Sequence, residues 1–246
     1  LCFKLVDIIH LFMGKPFQIR LIFFYCFLFA GLLFSTISCN SSNETLRNDP
    51  SSEGSSLAED SLVYRIIIDD EINPSVSRLV SRGIEEAEKR EADYLFIELE
   101  TYGGLVVDAD DIRTDILNCP IPVIIYIQNN AASAGALISL ACDSIYMNPS
   151  ATIGAAAVVD QTGQVQAEKY QSYMRGKMRA TAEANGRNPA IAEGMVDPSI
   201  VVPGISDSSK IITLTAQEAV REDVNFCEGI APDADSALRL AGLGEY

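Results

Sequence analysis

"PVIIYIQNNAASAGALISLACDSIYMNP", Pro122 to Pro149, reads as strand, turn, helix and strand, and that order decides the fold class. Val123 to Ile127 is an unbroken apolar run with β-branched and aromatic residues, the pattern of a strand covered on both faces. Small residues then lead into an apolar helix from Ser133, and "SIYMNP" opens a further short strand. Upstream, "LVYRIIID" (Leu62 to Asp69) is a strand, and Val76, Leu79, Val80 and Ile84 recur behind it at helical spacing. "YLFIELE" (Tyr94 to Glu100) is a second strand, stopped by "TYGG". Val106, Ala109, Ile112, Ile116 and Leu117 then mark a second helix. Strands alternating with helices through short connections predict an α/β fold with a mainly parallel sheet flanked by helices. Ligands in such sheets sit beyond the carboxyl ends of the strands, where "TYGG" and "NNAASAG" both fall.

Downstream, a helix is expected from about Gln166 to Asn185. Its apolar stripe is Tyr170, Tyr173, Met174, Met178 and Ala182, and Gly186 closes it. "LTAQEAVREDV" is a later helix with Thr213 or Thr215 near its start, and "SALRLAGLG" is a last short one. "VVPGISDSSKI", Val201 to Ile211, is expected to be a flexible hairpin or flap.

The 246 residues carry a net charge of −16, and 48% are hydrophobic, enough for a real core. Nucleic acid is excluded as a partner, because phosphate binding needs clustered Lys and Arg. Residues 1–39 read as a targeting segment. Lys15 and Arg20 precede the uncharged stretch Leu21 to Ile37, and "TISCN" follows, ending in Cys39 and Asn40. A small residue before a cysteine at that place resembles a bacterial lipoprotein signal, with Cys39 as the lipidated residue. A retained N-terminal anchor and simple secretion are the alternatives. Each places the domain at or beyond a bacterial membrane, facing the periplasm or exterior. Residues 40–60, rich in Ser, Asn and acid, form a flexible tether, since they cannot bury enough surface to offset ordering entropy. The folded domain is 61–246. With no CxxC and no Cys/His cluster, no zinc or other metal site is expected. Cys119 and Cys142 are read as buried thiols, a disulfide between them being the alternative.

The one histidine, His10, lies in the leader, so a Ser-His-Asp triad is excluded from the domain. "AASAG" also lacks the first glycine of a G-x-S-x-G elbow. A serine can instead be activated by an uncharged lysine. Of the domain's lysines, Lys89 sits in the charged run "EAEKRE", Lys177 lies between Arg175 and Arg179 and is expected to be exposed, and Lys210 is in "SDSSK". Lys169 stands at the first turn of its helix, where the positive end of the macrodipole disfavours an ammonium ion. Elimination points to Lys169, against the reading of an exposed helix-start lysine. Gly103 and Gly104 allow a backbone N–H to approach a substrate closely. Ala134, following the serine at a helix N-terminus, offers a second donor for an oxyanion. The bland alternatives are an ordinary strand-to-helix turn at 103–104 and a small packing residue at 133.

"ELETYGGLVVDADDIRTDIL", "PVIIYIQNNAASAGALISLACDSIYMNPSATIGAA", "EKYQSYMRGKMRATAEANGRNPAIAEGMVD" and "LTAQEAV" resemble, in order and spacing, the ClpP-like serine protease domain of NfeD-type membrane-associated proteases. The resemblance spans about Val63 to Leu243. It implies a ClpP/crotonase fold and a Ser–Lys dyad without a cofactor. Ser133 would be the nucleophile, Lys169 the base, and Gly104 and Ala134 the oxyanion-hole donors, with Gly103 beside them. It further implies cleavage of apolar segments of membrane proteins, stomatin-like partners and a homo-oligomer of two or more copies. The family's T-P-G-G reads Thr101-Tyr102-Gly103-Gly104 here, a change expected to loosen the oxyanion loop. The rival readings are a crotonase-like acyl-CoA enzyme, a non-catalytic scaffold binding a membrane partner, and a signal-peptide-peptidase-like protease.

Overall fold

Apolar alternation along the strands shapes the fold of the computed structural model, which describes residues 61–160, 162–207 and 209–244. β1 (Val63–Ile68), β2 (Tyr94–Thr101), β3 (Val123–Ala132), β4 (Ser144–Met147) and β7 (Gly229–Ile230) lie side by side in that order, all parallel. Leu95, Ile97 and Leu99 of β2 and Val123, Ile125 and Ile127 of β3 point into the larger core. Their in-between neighbours Phe96, Ile124 and Tyr126 point into a smaller one on the opposite face. That two-sided burial is why the β3 run is continuously apolar.

Four helices cover the larger face. α1 (Pro74–Lys89) contributes Val76, Val80 and Ile84, and α2 (Val106–Leu117) contributes Ala109, Ile112 and Ile116. α3 (Ala134–Ala141) is buried along its whole length, and α4 (Glu168–Ala184) adds Met174, Met178 and Ala182. α7 (Ala234–Leu240) covers the smaller face with Ala234, Ala237 and Leu238. Asn73 starts α1 by accepting from the N–H groups of Ser75 and Val76, with Pro74 preset for the first turn. Losing that cap would cost about 1 kcal/mol.

The expected α/β architecture is present, with several local corrections. β3 continues past Gln128 to Ala132, because Asn130–Ala132 pair with β5 (Thr152–Gly154), which in turn pairs antiparallel with β6 (Thr213–Thr215). Between the pairs Leu99–Ile127 and Thr101–Ala131 the register shifts, so β3 bulges just before the serine. α4 begins at Glu168, and α5 (Pro189–Gly194) follows it. "LTAQEAVREDV" holds only the single turn α6 (Ala216–Ala219), capped by Thr215 and Glu218 in a capping box. The expected α4 stripe splits: Tyr170 and Tyr173 are exposed, and polar Gln171 and Thr181 take buried places. Leu79 is also exposed on α1. The Val201–Ile211 segment shows a turn at 203–205 and no strand pair among its described residues. Cys119, Cys142 and Cys227 are free thiols, the last two buried.

Candidate active site

The β3 bulge delivers Ser133 to the junction between β3 and α3 with φ 54° and ψ −113°. An L-residue pays about 1–3 kcal/mol to hold such a conformation, so its surroundings must impose it. They do: Ser133 N–H donates to the Gly154 carbonyl at 2.9 Å, and the Ser133 carbonyl accepts from Ala136 at 3.0 Å. The hydroxyl caps nothing and makes no hydrogen bond among the described residues. Tight packing against the sheet falls to Gly135 instead, where an added Cβ would sit 2.7 Å from Thr101 Cγ2. The reading of Ser133 as a small packing residue therefore loses its reason.

The "TYGG" loop comes alongside. Thr101 Oγ1 donates to the Asp70 carbonyl at 2.8 Å and lies 3.2 Å from the Gly103 N–H, which it accepts. Gly103 and Gly104 have φ of 123° and 155°. A Cβ on Gly103 would stand 2.8 Å from Ser133 Cβ and 3.2 Å from its Oγ, so this backbone lies directly against the hydroxyl. Gly104 is braced from behind. Ile72 N–H donates to the Gly103 carbonyl and Leu105 N–H to the Ile72 carbonyl, both at 2.8 Å, and a Cβ on Gly104 would meet the Ile72 carbonyl oxygen at 2.1 Å. That pairing turns the Gly104 N–H away from Ile72. Among the described residues neither the Gly104 nor the Ala134 N–H has a partner. Thr101, Ile72 and Gly154 are supporting residues that the sequence reading passed over. Thr101 and Gly154 both lay inside the quoted motifs, but nothing in their spacing marks the contacts they make.

Lys169 occupies the first turn of α4, as expected, yet it is exposed. Its ammonium sits 4.7 Å from the centroid of the Tyr170 ring, a cation–π contact, and no hydrogen bond joins it to Ser133. The structure thus brings Ser133, Gly103, Gly104 and Ala134 together and leaves Lys169 apart. Lys169 follows a connection from β5 that carries exposed Val159 and Val165, paired in a single bridge. Gln171 ties this connection to α4, accepting from Val158 N–H at 3.0 Å and donating to the Val158 carbonyl at 2.7 Å. Lys177 corrects the expectation of an exposed lysine: it is half-buried, 2.8 Å from Asp110 and 5.3 Å from the Tyr173 ring centroid. The hydrogen bond it donates to the Asp110 carboxylate raises its pKa, which unsuits it to act as a base. Cys39 and the apolar stretch Leu21–Ile37 lie outside the described residues. Among those described, no helix is long and apolar enough to cross a membrane.

A cavity of about 630 Å³ beside the loop is lined by Asp69, Asp70, Glu71, Glu100 and residues 101–104. Four carboxylates there would repel the phosphates of coenzyme A. This argues against the acyl-CoA reading.

The family profile described as "NfeD1b, N-terminal domain" matches residues 62–245. The chain belongs to this family. It is 34% identical over 187 residues to the membrane protein NfeD1b of Bacillus subtilis (strain 168), covering 76% of this chain and 42% of that protein. It is 31% identical over 186 residues to the membrane-bound protease PH1510 of Pyrococcus horikoshii, covering 72% and 39%. The chain thus spans about two fifths of the length of these curated relatives. Among solved structures, a serine-to-alanine mutant of the 1510-N membrane-bound stomatin-specific protease superposes with a TM-score of 0.64 at 29% identity, over 74% of this chain and 85% of that one. A lysine-to-alanine mutant of the same protease, in complex with a substrate peptide, gives 0.63 at 29%, over 73% and 79%. ClpP1 of Listeria monocytogenes shares the fold, with a TM-score of 0.54 at 22% identity over 73% and 94%. The NfeD1b-type domain is therefore ClpP-like and related to proteases.

Proposed function

We propose that this chain carries the peptidase domain of a membrane-associated serine protease, with Ser133 as nucleophile and Lys169 as general base. The observation that supports it most is the strained Ser133, whose hydroxyl is unused by the fold and lies against the Gly103 backbone. In the cycle, uncharged Lys169 takes the proton from Ser133 Oγ as the oxygen attacks a peptide carbonyl. The Gly104 and Ala134 N–H groups receive the oxyanion, and Gly103 leaves room for it. Lys169 then hands the proton to the departing amine, and in the second half it takes a proton from water, which attacks the acyl-enzyme, and returns it to Ser133 Oγ as the acid leaves. Because Lys169 is exposed and turned onto Tyr170, the cycle requires the connection before α4 to carry it toward Ser133 when substrate binds.

The substrate is an extended peptide pairing beside Gly103–Val107, where Leu105 and Val107 are exposed apolar side chains. Apolar segments of a stomatin-like membrane protein are the proposed target, in keeping with the substrate named for the archaeal relative. Residues 1–39 would hold the domain at the membrane, through lipidated Cys39 or a retained anchor, with 40–60 as the tether.

The test is labelling with a serine-reactive fluorophosphonate and mapping of the adduct. Wild type should be modified at Ser133, Ser133→Ala not at all, and Lys169→Ala on the order of a hundredfold more slowly. An unlabelled wild type, with folding verified, would leave a non-catalytic scaffold. Full-rate labelling of Lys169→Ala would remove the dyad.

A further inference from the structure

α4, which carries Lys169, is tied by polar contacts in two directions. Arg175 pairs with Asp197 at 3.1 Å and Arg179 pairs with Glu193, which hold the helix to α5 and the turn after it. Toward α2, Asp110 accepts from the Tyr173 hydroxyl at 3.1 Å and from the Lys177 ammonium at 2.8 Å, and Arg113 Nε donates to Thr181 Oγ1 at 2.7 Å. Asp110 stands before Arg113 on one helix as Tyr173 stands before Thr181 on the other, so α2 and α4 run side by side in the same direction. One turn earlier, about 6 Å back along each axis, Val106 of α2 comes level with Lys169 of α4.

We infer that Asp110 is a positioning residue, which holds α4 in register with α2 so that Lys169 is presented at the level of the oxyanion loop. The inference rests on the peptidase reading above and names what sets its geometry. α2 starts just after Gly104, whose backbone is braced by Ile72, so this helix extends from one half of the site. α4 carries the other half on its first turn. Tyr173 and Lys177 are neighbours on one face of α4, so the single Asp110 carboxylate grips two successive turns. Arg113 and Thr181 also join the helices, but Thr181 lies about 18 Å along the axis from Lys169, too far to govern the first turn.

Apolar packing does not replace this grip. Met174, Met178 and Ala182 sink into the core and fix the depth of α4, while the head of the helix presents the exposed rings of Tyr170 and Tyr173. Gln171 ties the preceding connection to α4, but not to α2. The Asp110 carboxylate is thus the contact with α2 nearest to Lys169. The lysine rests on the Tyr170 ring at 4.7 Å and has to leave it to reach Ser133. Anchoring Tyr173 confines that swing to the turn before it and the connection ahead. Without Asp110 the head of α4 is free to tilt, and misplacement of a reacting group by about 1 Å costs up to a hundredfold in rate.

The test uses the full chain in detergent and the rate of fluorophosphonate acylation at Ser133, each variant first shown to be folded by its melting curve. Asp110→Ala should slow acylation about tenfold. Lys169→Ala should be slow, and adding Asp110→Ala to it should change nothing further, because Asp110 acts through the lysine. Asp110→Asn keeps the shape and an acceptor oxygen for Tyr173, so it should retain most of the rate. If Asp110→Ala does not fold, Tyr173→Phe combined with Lys177→Met removes the same contacts from the α4 side and should show the same loss and the same lack of additivity. A wild-type rate in the folded variant, or an equal fractional loss with and without Lys169, would overturn the positioning role. The dyad stands in either case as long as Lys169→Ala alone is slow, whereas full-rate labelling of Lys169→Ala removes both.

Discussion

Ser133→Gly should raise the stability of the domain, although it removes the proposed nucleophile. The backbone there holds φ 54° and ψ −113°, which glycine adopts freely and other residues hold at a cost of about 1–3 kcal/mol. Glycine gives back part of that gain, about 0.5–1 kcal/mol, through the greater freedom of its unfolded chain. The net stabilisation is therefore about 0.5–2 kcal/mol, or roughly 1–8 °C in Tm for a domain of this size. Ser133→Ala keeps the strain and removes a hydroxyl that bonds to nothing in the fold, so it should lie within about 0.5 kcal/mol of wild type. Thermal unfolding by calorimetry, with both variants and wild type in one buffer, measures the difference directly. Both variants should also lose fluorophosphonate labelling. If Ser133→Gly melts below Ser133→Ala, the backbone at 133 is not strained, and the case for a displayed nucleophile falls with it.

Gly103→Ala places a methyl carbon 2.8 Å from Ser133 Cβ, and displacement of the hydroxyl by about 1 Å should slow probe acylation on the order of a hundredfold. Labelling kinetics on folded protein check this, and an unchanged rate would separate Gly103 from the nucleophile. Thiol trapping followed by mapping should modify half-exposed Cys119 in the native protein and reach Cys142 and Cys227 only on unfolding. Burial pushes both of the latter up, Cys227 to about 12. Equal native reactivity would contradict that burial. The Asp110 carboxylate raises the pKa of Lys177, so the stability from this pair is fully present below the unfolded lysine value of about 10.4 and is lost as pH climbs through the raised folded value. Denaturant titrations at alkaline pH should show a shallower loss for Asp110→Asn than for wild type, and equal slopes would refute the linkage.

How much of this could be read from the chain differs from residue to residue. The Val123–Ile127 run and the helical spacings of α1 and α2 are local patterns, so the strand–helix alternation and parallel sheet were legible. β5 and β6 were not. Each has three residues, and they exist because Asn130–Ala132 supply an edge for Thr152–Gly154 to join. "LTAQEAVREDV" looks helical by composition, but only Ala216–Ala219 form a turn. Beyond it the chain leaves the helix for Phe226 and Cys227 to fill the core. The α4 stripe misled because periodicity counts Tyr170 and Tyr173 as apolar, whereas their rings lie outside the packed face and serve Lys169 and Lys177.

By itself the sequence determined the class of fold, the absence of a histidine base, and the glycines and small residues without which no backbone could close on Ser133. Those are properties of residue type and short-range spacing. Only the tertiary structure decided that Ser133 is strained and its hydroxyl unused, that Gly135 rather than Ser133 does the tight packing, and that Lys169 stands on the surface while Lys177 is paired. Each of these depends on which distant segment meets the residue. Thr101, Ile72, Gly154 and Asp110 come from other strands, loops and helices, and no local pattern encodes that meeting.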